Sequence, residues 1–259
     1  MALLWQLLWI LHPTHSPPDV LVLLRILSIC LIALSTMAES TLGDDDVSPS
    51  KPPSRGWLEI RATVTSRFRQ RTKQAVAGIP AAIRQTLRTK GWRVVAAKFV
   101  VDAAPDLKGK MPRGWPSGTT WSNSDAVHLP RRKTIIIAEK RIARNGEVVN
   151  VNRVSGVLRH EIGHAFDMAL MKGGLANPFH SSTSGFDSLY RTDVEQMSAQ
   201  LKRKLKYFTQ SGPAGRQETF AEAFAIILGG GSVPDREKHF RSAFPRVLKY
   251  VRGRVKSRP

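Results

Sequence analysis

Apolar and polar positions alternate with two different periods along this chain, and the change between them marks where the elements lie. Ile79, Ala82, Ile83 and Leu87 recur at helical spacing, with Pro80 suited to a first turn and Gly91 to the stop. Trp92 to Val101 is rich in valine and aromatic residues and predicts a strand, as does Thr134 to Glu139. Asn145-Gly146 has turn chemistry, so Val148 to Val151 is expected to return as a hairpin partner. Between the first two strands, Gly109, Pro112, Gly114, Pro116 and Gly118 punctuate a long loop that carries Trp115 and Trp121.

From Val154 the period becomes helical: Val154, Val157, Leu158, Ile162, Ala165, Ala169 and Leu170 form one apolar stripe, stopped at Gly173-Gly174. Further helices are predicted over Asp193 to Phe208 and Arg216 to Leu228, the latter closed by three glycines, and the basic C-terminal segment is expected to begin as helix and then fray. These expectations amount to an α+β fold: a small mixed sheet packed over a central helix, with a helical C-terminal half, and Thr134 to Glu139 is expected as the sheet's open edge, where an extended chain can pair.

The N-terminal residues have a different character. Val20 to Ala38 is apolar apart from Arg25, ends in small residues and precedes an acidic Pro/Ser tract. It reads as an export signal over 1–38, or an uncleaved anchor, followed by a linker over 39–56, a domain over 57–253 and a basic tail over 254–259. The expected location is therefore secreted or in the cell envelope, with membrane contact only through this segment. Cys30, the only cysteine, lies inside it, which excludes a disulfide framework or a cysteine nucleophile downstream.

Removing the first fifty residues leaves 39 basic against 15 acidic side chains, a net charge of +24. Such a field favours anionic partners such as an envelope polymer or an acidic peptide. Nucleic acid is not the expected partner, because no aromatic-interleaved basic motif accompanies the charge.

The chemistry concentrates in His160-Glu161-Ile162-Gly163-His164 on the central helix. A separation of four places both imidazoles on one face, a turn apart, where they can share one zinc ion. Glu161 then stands at the edge of the site, able to take a proton from an activated water, and this suits metal-assisted peptide hydrolysis. Catalytic zinc sites use three protein ligands, and the three-histidine extension fails because Asp167 and Leu170 stand where it needs Gly and His. In Gln217-Glu218-Thr219-Phe220-Ala221-Glu222-Ala223-Phe224, two carboxylates four apart share a face of an apolar helix, which is costly unless a cation or its histidine ligands neutralise them. Spacing alone does not choose between Glu218 and Glu222.

HEIGHAFD (160–167), ETFAEAF (218–224) and the PRGWPSGTTW loop (112–121) resemble the zincin-like catalytic domains of anthrax lethal factor and of secreted Pro-Pro endopeptidases, over roughly Trp57 to Leu248. The resemblance implies a zinc metalloendopeptidase with His160, His164 and Glu218 as ligands, Glu161 as base, and Glu222 and Asp167 as supporting carboxylates. It also implies a tyrosine seven residues before the glutamate ligand, where this chain has Ser211. Tyr207 is the expected substitute, with Tyr190 and His180 as further candidates. A monomer acting on protein or peptide is expected. The alternative is a basic, zinc-containing module that binds anionic polymer or nucleic acid with little or no peptidase activity.

Overall fold

The computed structural model describes residues 56–112, 115–171 and 179–257. The segments read as signal and linker lie outside the described residues, apart from Gly56. No helix among the described residues is long and apolar enough to cross a membrane.

Strand β1 (Leu58–Ile60) leads into helix α1 (Ser66–Ala77), whose N-terminus is fixed by Thr65 accepting a hydrogen bond from the Phe68 N–H at 3.2 Å. Helix α2 (Ala81–Thr89) carries the predicted stripe, with Ile83 and Leu87 fully buried. Strand β2 (Arg93–Ala97) is shorter than expected, because the chain turns into a single helical turn, α3 (Val100–Ala103). Strands β3 (Ala126–Leu129) and β4 (Thr134–Ala138) follow, giving a four-stranded sheet in the order β1-β2-β4-β3. The first three strands in that order are parallel, and β3 pairs antiparallel with β4.

Two expectations are corrected here. Thr134 to Glu139 is expected as the open edge, but the strand there, Thr134–Ala138, is interior and buried at every position. Its continuous Ile-rich run is that of a strand covered on both faces, and the edge belongs to β3. The hairpin around Asn145-Gly146 also forms outside the main sheet, between β5 (Lys140–Ile142) and β6 (Val148–Asn150).

Alternation along the strands divides the sheet's side chains between two layers. Val94, Ala96, Ala126, Ile135 and Ile137 join the main core, whereas Val95, Val127, Ile136 and Ala138 meet Val100 and Ala104 in a smaller one. The main core packs on helix α4 (Val154–Ala169), the predicted central helix.

The helical half follows with α5 (Ser184–Glu195), α6 (Ala199–Lys204), α7 (Pro213–Ile227), α8 (Pro234–Ala243) and α9 (Pro245–Lys256). The single helix expected over 193–208 is two, because Ser198 is extended and caps a new start by accepting from the Leu201 N–H at 3.2 Å. Position 254, where the basic tail was expected, falls inside α9.

Helices α4 and α7 are in intimate contact, and Gly163 sets their approach. A methyl group there would lie 2.8 Å from both Cα and O of Ala221, so only glycine admits this separation.

Candidate metal centre

The α4–α7 contact brings together the residues that the sequence singles out. His160 and His164 stand one turn apart on α4, and Glu218 enters from the first half of α7. Glu218 Oε2 lies 3.1 Å from His160 Nε2 and 3.5 Å from His164 Nε2. Among the described residues these three form the group of His, Cys, Asp and Glu side chains able to hold a metal, their ligand atoms all within 4.8 Å of one another.

The distances admit a metal. Zinc bonds to nitrogen and oxygen near 2.0–2.1 Å put ligand atoms of a tetrahedron about 3.3–3.5 Å apart, and the two nitrogen–oxygen separations bracket that range. Two neutral imidazoles with one carboxylate are a donor set suited to zinc, and a fourth position remains for water or substrate.

Glu222 fixes the tautomer of His160. Its Oε2 is 2.9 Å from His160 Nδ1, and it also accepts hydrogen bonds from Ser232 Oγ at 2.6 Å and the Ser232 N–H at 3.0 Å. With Nδ1–H directed to a carboxylate, Nε2 is left with its lone pair toward Glu218 and the metal position. Burial would raise the Glu222 pKa, but the hydrogen bonds from His160 and Ser232 outweigh it and hold the acid below its usual range. For Glu218, too, burial is opposed and outweighed, here by both histidines, and its pKa falls well below normal. His160 shows the reciprocal effect: desolvation disfavours its charge, yet the two glutamates raise its pKa well above 6.5. The field that retains a proton between these groups would equally retain a divalent cation.

Glu161 lines the open cleft beside His160. Its carboxyl is raised in pKa chiefly by desolvation and also by Glu218, against the lowering effect of both histidines and of the nearby His128 backbone N–H. That N–H belongs to the edge strand. Ala138 N–H bonds to Asp125 O, so Ala126 and His128 occupy the positions of the antiparallel register whose N–H and C=O groups point away from β4.

Tyr207 lines the same cleft and is 41% exposed overall. Its phenol nevertheless has a pKa raised above the usual value, first by desolvation and then by the nearby negative charge of Glu218. The other candidates lie elsewhere. Tyr190 donates to Phe208 O at 2.9 Å in the core, His180 pairs with the Tyr250 hydroxyl at 2.6 Å, and Ser211 is exposed. Asp167, in the last turn of α4, is fully buried, and Ser181 donates to it through N–H at 2.7 Å and Oγ–H at 2.6 Å. Burial raises its pKa to about 7 against those hydrogen bonds.

Two contributors escaped the sequence reading. His128 stacks between Trp92, at 4.8 Å between centroids, and His164, at 5.6 Å, and desolvation first, then His164, keeps it neutral. Its only sequence signal is one imidazole inside an apolar four-residue strand. Ser232, which clasps Glu222, follows the glycine run that lets the chain fold back along α7.

A small mixed sheet over a His-Glu-x-x-His helix, joined by a glutamate from a second helix, defines a zincin-like fold. Residues 62–240 match the family model described as anthrax toxin lethal factor, N- and C-terminal domain, and the chain belongs to that family. Among solved structures it is similar to the Pro-Pro endopeptidase PPEP-2 from Paenibacillus alvei, with a TM-score of 0.51 and 20% identity over 75% of this chain and 95% of that one. No curated protein matches the sequence.

Proposed function

We propose that the protein is a zinc metalloendopeptidase acting outside the cytoplasm. The observation that carries this reading is the convergence of His160, His164 and Glu218 within 4.8 Å, beside a desolvated Glu161 in an open cleft. Family membership and the shared fold support peptidase chemistry. Export rests on the apolar stretch before Ala38 alone.

A zinc ion held by the three ligands would supply Lewis acidity, polarising a carbonyl and making a water molecule acidic near neutral pH. The chain's own groups would do the rest. Glu161, beside the edge strand, accepts the proton of the attacking water and passes it to the departing amine. Its upward shift favours that double task, since it makes the carboxylate a stronger base than an ordinary glutamate. Tyr207, kept protonated by its raised pKa, donates a hydrogen bond to the oxygen that develops charge. An extended substrate would pair with the outward backbone groups of β3, which supplies affinity without reading side chains.

The test is formation of new amino termini in an unstructured protein, measured by mass spectrometry. Cleavage should stop on chelation and return with about one equivalent of zinc. Stoichiometric zinc binding with no cleavage of any diverse substrate would instead favour a basic binding module, the reading to which the formal charge of +20 also lends weight.

A further inference from the structure

The cleft beside His160 and Glu161 continues into a second depression between the Trp115–Thr120 loop and the β5–β6 hairpin. The two share Trp115, Pro116, Asn123, Arg141 and Arg144, so they form one groove. Five cationic side chains line its catalytic part. Arg141 and Arg153 converge on one carboxylate, Asp125, each at 2.9 Å, so one acid answers two guanidinium groups. Arg144 from the hairpin turn, Lys206 after α6 and Arg236 on α8 are exposed and take part in no ion pair among the described residues.

Exposed cations on an open surface are solvated and screened. In a groove, low-dielectric walls focus their field on whatever enters. Three separate elements each direct an unpaired cation into the same channel, and the channel also holds the edge strand and the base that a peptide needs.

Resting on the peptidase reading above, we propose that the groove selects acidic peptide segments, whose Asp and Glu carboxylates are bound by Arg144, Lys206 and Arg236. A peptide can align its backbone on β3 while its side chains reach these three groups. A polyphosphate or anionic glycan would instead place charge along its whole length, including against Glu161.

The test reads binding separately from catalysis. Fluorescein-labelled peptides of one sequence, with Glu, Gln or Lys at alternate positions, are titrated against the full-length, zinc-loaded Glu161→Gln protein, and anisotropy is recorded. The Glu peptide should bind on the order of tenfold tighter than the Gln peptide, and the Lys peptide weaker still. This difference should collapse when ionic strength rises from about 0.01 M to about 1 M, which shortens the screening length from about 30 Å to about 3 Å. Arg144→Glu/Arg236→Glu should abolish the preference. Lys249→Glu/Arg252→Glu on α9, with the same change in net charge, should preserve it, and circular dichroism should show both variants folded.

Equal binding of the three peptides, or equal loss of preference in the two double variants, overturns the proposal. So does inorganic polyphosphate that displaces the Gln peptide as readily as the Glu peptide from the wild-type groove but not from the Arg144/Arg236 variant, since the groove would then be a polyanion site. A failure of the peptidase reading shows separately, as absence of cleavage by the zinc-loaded wild type.

Discussion

Replacing Gly163 by alanine tests whether the contact between α4 and α7 sets the metal geometry. The added methyl would stand 2.8 Å from Cα and O of Ala221, and both are backbone atoms that cannot rotate away. Restoring carbon–carbon contact to about 3.5 Å requires the helices to part by about 0.7 Å. Alanine favours the helix by about 1 kcal/mol over glycine. Overpacking against backbone costs up to about 3 kcal/mol, so a net loss near 2 kcal/mol is expected. For a domain of this size that lowers the melting temperature by about 4–8 °C.

The same displacement widens the 3.1 and 3.5 Å separations between Glu218 and the histidines, beyond the roughly 0.2 Å tolerance of metal–ligand distances. Zinc affinity should fall at least about tenfold. Thermal unfolding of the metal-free protein by circular dichroism and competition with a chromophoric chelator measure the two effects. Gly253→Ala is the control: it lies within α9 with nothing within 4 Å of its added methyl, and it should stabilise slightly. If Gly163→Ala also melts higher and binds zinc unchanged, helix propensity alone governs the site and the close-approach argument is wrong.

Three further outcomes follow from the geometry. Glu222→Gln leaves His160 Nδ1 without an anionic acceptor and should weaken zinc binding by about 10–100-fold in an equilibrium competition titration, with the fold retained. Asp167 has a folded pKa near 7 against 3.8 unfolded, so between about pH 4 and pH 7 the unfolded chain loses this proton while the folded one keeps it. Its contribution is therefore present below about pH 4 and is lost as pH rises toward 7; relative to Asp167→Asn, the metal-free protein should lose up to about 4 kcal/mol over that window in urea melts, and parallel pH profiles would refute the assignment. Tyr207→Phe should lower kcat by about 10²–10³ with little change in KM, and an unchanged kcat would remove the tyrosine from the chemistry.

The two catalytic helices were legible because helical spacing and ligand spacing coincide: the stripe from Val154 to Ala169 and the pair His160/His164 are one periodicity seen twice. Glu218 and Glu222 stood out because paired carboxylates on an apolar helix need neutralising. What escaped the sequence depends on contacts between distant segments. Helix α1 buries only Phe68, Thr72, Ala75 and Val76 in an otherwise polar run, too sparse a stripe to mark it. Strand β3 is four residues long and interrupted by His128, so its edge position was assigned to the more apolar β4. The break at Ser198 is a capping choice inside a helix-favouring stretch. Tyr207, the substitute expected from the sequence, does line the cleft.

The most direct test of the central claim is cleavage of a diverse peptide library by the zinc-loaded protein beside Glu161→Gln, with zinc content measured in both. The structure predicts one zinc per chain in each and cleavage slowed by about 10²–10⁴ in the variant. Equal cleavage by both, at equal zinc content, would contradict the assignment of Glu161 as the base and of this cleft as the catalytic centre.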